Sequence, residues 1–96
     1  TNEGVDEMPN LLGPDTLIDQ YPATPAGQLA YLVDLTQRVV DHGGVGVVYW
    51  EPAWVSTGCK TRWGTGSSWE NAAWFDLKDH EALPAFEFLG REYRPR

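Results

Sequence analysis

A run of valines and aromatic residues between Gly44 and Pro52 is the feature that most constrains the fold. A continuous apolar stretch of β-branched and aromatic residues is typical of a strand that is buried on both faces of a parallel sheet. We therefore expect a strand over residues 45–51. Trp50 and Glu51 stand at its carboxyl end, which is where α/β folds place their functional sites.

The sequence predicts a helix over residues 24–42, directly before this strand. Thr24 can cap free amides with its hydroxyl, and Pro25 is well suited to the first helical position. Apolar residues then follow at spacings of three and four, which makes one apolar stripe. Gly43 suits a left-handed cap, so His42 is interpreted as a last-turn residue favoured by the helix dipole and not as a base.

Residues 1–23 are polar and acidic, with several glycines and prolines, and we expect a long loop. Asp15 could cap one helical turn over residues 16–20. Acidic side chains in a loop can also bind a cation, so a structural calcium ion is left open, although the spacing matches no recognised calcium loop and solvated charge is favoured. These acids are Glu3, Asp6, Glu7 and Asp15.

A second loop and a short closing helix are expected after the strand. Residues 52–80 are expected to form this loop because residues 55–68 are rich in serine, threonine and glycine, and Glu70 or Asn71 could fasten it by hydrogen bonds. Residues 81–90 should form the closing helix, because Pro84 is tolerated in a first turn. Its expected apolar face consists of Leu83, Phe86 and Leu89.

Composition narrows the classes of partner. Fourteen acidic residues against seven basic ones, with a pI near 4.5, argue against nucleic acid or an anionic membrane surface. No apolar run approaches the roughly 18 residues of a membrane span. Cys59 has no second cysteine in the chain, so it either pairs with an upstream cysteine or is a free thiol.

Three strings carry a resemblance to a known family: Tyr-Trp-Glu-Pro-Ala-Trp at 49–54, Gly-Ser-Ser-Trp-Glu-Asn at 66–71 and Ala-Leu-Pro at 82–84. From about residue 21 to 89 the chain resembles the last part of glycoside hydrolase family 53, the arabinogalactan endo-β-1,4-galactanases. The resemblance implies the C-terminal portion of a (β/α)8 TIM barrel, with βα units 7 and 8. A barrel needs roughly 200 to 250 residues, so this chain would be incomplete alone and would pair with the upstream part of the same barrel.

The resemblance also implies an activity, the retaining hydrolysis of β-1,4-galactan in pectic arabinogalactan. Retaining hydrolysis needs two carboxyl groups about 5 to 5.5 Å apart. In the family, both catalytic glutamates precede the region that this chain resembles, so no catalytic residue is assigned here and the isolated chain should be inactive. No cofactor is required, and a secreted or cell-envelope location is expected for the parent protein.

Four residues are candidates for substrate binding. The resemblance implies that Trp50 is the platform beneath the sugar at the cleavage point, with a cis peptide bond to Glu51. Trp54 is expected to form a wall or a neighbouring platform, with core packing as the alternative. Trp63, or Arg62 beside it, could contact a distal sugar, with structural bracing of the loop as the alternative. Because Pro52 favours an extended residue before it, Glu51 is expected to be extended and either to shape the floor of the site or to form a structural salt bridge.

Two rival functions remain open. One is a carbohydrate-binding module that uses the tryptophan-rich surface without hydrolysis, although such modules are usually antiparallel β-sandwiches. The predicted helix at 24–42 argues against that architecture. The other is a different retaining (β/α)8 glycosidase whose eighth strand also ends in tryptophan.

Overall fold

The computed structural model describes residues 8–96, and its regular elements are few and short. Helix α1 spans Pro25–Asp41, and strands β1 and β2, at Lys60–Thr61 and Gly64–Thr65, pair in an antiparallel hairpin. Three 3-10 helices lie at Pro14–Thr16, Glu70–Ala72 and Pro84–Gly90. The 3-10 helix at Pro84–Gly90 is the closing 3-10 helix. This arrangement is not a barrel, and the loop predicted over residues 52–80 contains the hairpin.

Helix α1 begins and ends with the groups that its sequence provides. The Thr24 hydroxyl oxygen accepts a hydrogen bond from the Gly27 amide at 3.0 Å, and Gly43 follows the helix with a φ of 87°. Gly27 is required by packing, because a Cβ there would lie 1.9 Å from the carbonyl oxygen of Pro22. The helix predicted over residues 24–42 therefore stands at Pro25–Asp41, between these two caps.

The segment predicted as a doubly buried strand, residues 45–51, forms no strand with any other part of residues 8–96. Val47 and Tyr49 pack against the core, whereas Val45 and Val48 are fully exposed, at 106% and 98%. The strand is therefore not formed within the described residues, and its burial on both faces in a complete barrel stays a prediction. A central parallel strand needs a hydrogen-bonded neighbour on each side, and the described residues supply none.

The core is built around Trp74, a residue that sequence reasoning did not single out. Its buried indole lies 4.7 Å from the ring of Tyr49, 5.1 Å from Phe86 and 5.3 Å from Phe88, measured between ring centroids. Leu32 of α1 completes the contact from the helix side. The indole thus joins α1, the segment before Trp50 and the closing 3-10 helix.

The closing 3-10 helix buries a different face from the one predicted. Ala85 and Phe88 are buried, whereas Leu89, which was expected on the apolar face, is exposed. A 3-10 helix has three residues per turn, so positions three apart lie on one face. The predicted positions 83, 86 and 89 are also three apart, so the error lies in the choice of face. Packing against Leu32 and Trp74 turns Ala85 and Phe88 inward, and of the predicted face Phe86 packs against the core while Leu89 stays exposed.

The N-terminal loop also differs from its prediction. Asp15 lies inside the first 3-10 helix and does not cap a turn at residues 16–20. The Thr16 hydroxyl donates to the carbonyl of Gly13 at 2.7 Å and holds this turn instead. The other acids proposed for a cation site, Glu3, Asp6 and Glu7, lie outside the described residues.

Candidate functional site

Trp50 presents its indole to solvent at the point where the chain changes direction. The side chain is 77% exposed, and the next residue, Glu51, has a φ of 52°. A left-handed conformation in a residue other than glycine costs of order 1 kcal/mol and is typical of functional sites. The bond between Trp50 and Glu51 is trans, since residues 8–96 contain no cis peptide. Both the expected cis bond and the expected extended Glu51 are therefore wrong, because the left-handed residue redirects the chain instead.

Trp54 stacks on Trp69, a residue that was not predicted for the site. The two ring centroids are 6.2 Å apart and the planes are inclined by 25°. Trp69 remains partly accessible, so the pair forms a continuous aromatic surface on the loop. The string that contains Trp69 was noted from the sequence, but spacing alone gives no signal that residues 54 and 69 meet.

Hydrogen bonds fasten the Trp54 segment to the turn around Glu70. The Ser56 hydroxyl donates to a Glu70 carboxylate oxygen at 2.5 Å, and the Glu70 side chain is fully buried. The Trp74 amide donates to the carbonyl of Pro52 at 2.8 Å. These contacts confirm the prediction that Glu70 fastens the loop.

Asn71 is a second fastener at the same turn. Its side-chain amide donates to the carbonyl of Leu12 at 2.9 Å and ties the N-terminal loop to this region. On the inner side, the Tyr49 hydroxyl donates to the carbonyl of Ala72 at 2.7 Å. Burial raises the pKa of the Tyr49 phenol above its ordinary value of 10.0, so this hydroxyl remains a donor at neutral pH.

Trp63 lies in the turn between β1 and β2. It is 78% exposed, and the guanidinium carbon of Arg62 lies 4.9 Å from its ring centroid, within cation–π range. Among residues 8–96, no ring contact joins Trp50 or Trp63 to the Trp54–Trp69 pair. The structure therefore brings together Trp54 and Trp69 by direct contact and leaves Trp50 and Trp63 as separate exposed rings.

Glu51 is exposed, and the ion pairs of the described residues, Arg94–Glu92 and Arg96–Asp41, do not include it. The structural salt bridge proposed as its alternative role is not formed in this part of the chain. Cys59 is also exposed, with a free thiol.

An open groove of about 530 Å³ lies between the N-terminal loop and α1. It is lined by both apolar and polar side chains, among them Leu17, Tyr31, Gln28 and Asn71. None of the four residues predicted from the sequence for substrate binding lines it. Within residues 8–96, no cluster of three histidine, cysteine or acidic side chains could hold a metal ion, and no helix is long and apolar enough to cross a membrane.

The comparison with protein families places this tryptophan-rich chain among the glycoside hydrolases. The model of glycosyl hydrolase family 53 matches residues 1–89, and the chain belongs to this family. The family has the (β/α)8 barrel fold, of which this chain matches a fragment. The resemblance seen in the three sequence strings is thus confirmed.

Individual relatives agree with the family match. The chain is 52% identical over 95 residues to an arabinogalactan endo-β-1,4-galactanase of Cellvibrio japonicus, covering 98% of this chain and 25% of that protein. It is 39% identical over 71 residues to an endo-β-1,4-galactanase of Bacillus subtilis, covering 62% of this chain and 17% of that protein. It is 33% identical over 73 residues to arabinogalactan endo-β-1,4-galactanase A of Emericella nidulans, covering 76% of this chain and 19% of that protein.

The chain therefore spans about a quarter or less of the length of these curated relatives. A comparison with solved structures finds no match.

Proposed function

We propose that this chain is the C-terminal segment of a retaining endo-β-1,4-galactanase that hydrolyses β-1,4-galactan in arabinogalactan and pectin. The observation that carries the proposal is the match to glycosyl hydrolase family 53 over residues 1–89, together with 52% identity to a relative named for this activity. The acidic net charge of −7 suits an uncharged polysaccharide better than an anionic polymer.

In this proposal the segment binds sugar and does not break the glycosidic bond. Trp50 and Trp63 offer exposed ring faces, and Trp54 offers a face supported by Trp69. Flat aromatic surfaces suit the apolar faces of pyranose rings, and aromatic contacts often dominate binding energy. In the same proposal Glu51 accepts hydrogen bonds from sugar hydroxyls; its exposure beside Trp50 supports this role. The acid/base and nucleophile carboxylates are assigned to the upstream part of the enzyme.

The upstream part of the same barrel is the proposed partner of residues 45–51. Val45 and Val48 are fully exposed here, and no strand pairs with this segment among residues 8–96. In a (β/α)8 barrel each strand has neighbours on both sides and is covered by the barrel interior and the outer helices. Pairing upstream would therefore bury the valines that now lie open. Because galactan is a polymer outside the cell, we also propose a secreted or cell-envelope location.

The decisive experiment is a substrate survey with the full-length protein. We expect it to release galactose oligomers from β-1,4-galactan with retention of anomeric configuration, followed by reducing-end assays and NMR. The isolated 96-residue chain should release none. Cleavage of mannan or xylan but not galactan would favour a different retaining glycosidase. Galactan binding by the full-length protein without cleavage would favour a binding module.

A further inference from the structure

We infer that Glu70 is a positioning residue of the proposed galactan site, acting through the Ser56 hydroxyl to hold Trp54 against Trp69. The inference rests on the proposed function for its substrate but on the observed contacts for its geometry. Glu70 would not touch sugar, because its side chain is fully buried.

Glu70 is a charged residue with a fully buried side chain. A glutamate is rarely fully buried, since removing a carboxylate from water is costly unless hydrogen bonds compensate. Glu70 accepts the Ser56 hydroxyl at 2.5 Å, a distance typical of a strong bond to a charged oxygen. Such a contact fixes the donor segment more firmly than a bond between neutral groups.

The Ser56–Glu70 hydrogen bond connects the two segments that carry Trp54 and Trp69. Ser56 lies two residues after Trp54, and Glu70 lies one residue after Trp69, so the hydrogen bond clamps the two backbones close to the ring stack. On the other side of Trp54, the Pro52 carbonyl is held by the Trp74 amide at 2.8 Å. Trp54 is therefore bracketed by two polar contacts, of which the Ser56–Glu70 bond involves only side chains.

The segment that carries Trp54 has no regular secondary structure to orient it. The segment from Glu51 to Ser56 belongs to no helix or strand and begins with a left-handed residue, so no ladder of backbone bonds orients it. A binding ring held on such a segment is preorganised only by local contacts. Loss of the Ser56–Glu70 bond should thus weaken the ring stack while leaving the core around Trp74 intact.

The test uses the full-length protein with Ser56→Ala, Ser56→Thr, Glu70→Gln and, as a matched control, Glu87→Gln at an exposed glutamate of the closing 3-10 helix. Ser56→Ala should raise KM for galactan about fivefold to tenfold and leave kcat within about twofold, as expected for a lost bond to a charged acceptor that supports binding. Ser56→Thr keeps the hydroxyl and should restore KM. Glu87→Gln should change neither constant.

Two further measurements separate positioning from general damage. The double variant Ser56→Ala/Glu70→Gln should be no worse in KM than Ser56→Ala alone, because Ser56→Ala removes the same bond that Glu70→Gln weakens by replacing its charged acceptor. The circular dichroism couplet of the stacked indoles, assigned with Trp69→Ala, should weaken in Ser56→Ala and remain in Glu87→Gln. Additive effects, or an unchanged couplet and KM in folded Ser56→Ala, would overturn the inference.

The proposed function and this inference fail in different ways. A wild-type protein without galactanase activity contradicts the proposed function, and the couplet then still decides whether the Ser56–Glu70 bond holds the stack. An active wild type whose Ser56→Ala variant keeps the couplet and KM contradicts the inference alone.

Discussion

Tryptophan is used in opposite ways by two regions of this chain. In the core, Trp74 is enclosed by Tyr49, Phe86 and Phe88, and its backbone carbonyl accepts the Leu83 amide at 2.8 Å. In the loop over residues 50–69, indoles face solvent and depend on few contacts. The burial of the ring, and not the residue type, therefore distinguishes the tryptophan that stabilises the fold from the tryptophans that are candidates for binding.

The free energy of burying an indole explains why the core and the loop use tryptophan differently. Burying a tryptophan removes roughly 150 to 250 Å² from water, which at about 25 cal/mol per Å² is several kcal/mol. Trp74 contributes this to folding. Trp50 and Trp63 are 77% and 78% exposed, so most of their area remains available to a ligand, although Arg62 lies over one face of Trp63.

Trp74→Ala should destabilise the full-length protein by about 3 to 5 kcal/mol, since it leaves a cavity where three aromatic rings and α1 meet. Thermal or urea unfolding measures the effect. The matched control is Trp63→Ala, which should change stability by less than about 0.5 kcal/mol because that ring is exposed. An equal loss of unfolding free energy in Trp74→Ala and Trp63→Ala would contradict the view that only the buried ring stabilises the fold.

Gly27→Ala should cost about 2 to 3 kcal/mol, because the added Cβ would meet the Pro22 carbonyl oxygen at 1.9 Å and force the start of α1 to shift. Gly90→Ala is a suitable control, since a Cβ at that position meets nothing within 4 Å. The comparison of unfolding midpoints checks the prediction. A stable Gly27→Ala protein would show that the N-terminal loop is free to move away from the helix.

Trp50→Ala should weaken galactan cleavage by the full-length protein by about 1 to 2 kcal/mol in transition-state stabilisation, a range typical of a lost aromatic contact. Its unfolding midpoint should stay unchanged, because the ring is 77% exposed. Steady-state kinetics test the expected loss of cleavage, and a melting curve tests the expected unchanged midpoint. Full activity in a folded variant would remove Trp50 from the proposed site.

Tyr49→Phe should cost about 1 kcal/mol at neutral pH through the lost bond to the Ala72 carbonyl. It should also reduce the alkaline loss of stability. The folded pKa of Tyr49 lies above the unfolded value of 10.0, so unfolding releases a proton in that range and the wild type weakens as pH rises past about 10. Melting temperatures of both proteins at pH 9 and 11 measure this loss of stability. An equal fall in melting temperature for the wild type and Tyr49→Phe would contradict a raised pKa of Tyr49 in the folded state.

Local signals in the sequence were enough to predict the elements whose formation depends on residues close by in the chain. Thr24, Pro25 and Gly43 set the limits of α1, because capping and left-handed termination act within one turn. The family was also recognisable from three short strings. The Glu70 fastener was foreseen as a hydrogen-bonding residue, but its partner Ser56 was not.

Contacts between distant segments could not be read in the same way. The stack of Trp54 on Trp69 spans fifteen positions along the chain. The core position of Trp74 depends on how α1 and the closing 3-10 helix meet. The buried face of that 3-10 helix was missed because positions 83, 86, 89 and positions 85, 88 have the same three-residue spacing, and only packing against α1 selects between the two faces.

Helix α1, its caps, the family and the identity of the candidate residues could all be read from the sequence. The tertiary structure alone decided which tryptophan serves the core, where the chain turns at Glu51, and which polar pair holds the loop. The physical reason is range: propensity and capping act over three or four residues, whereas burial and ring contacts depend on segments that only folding brings together.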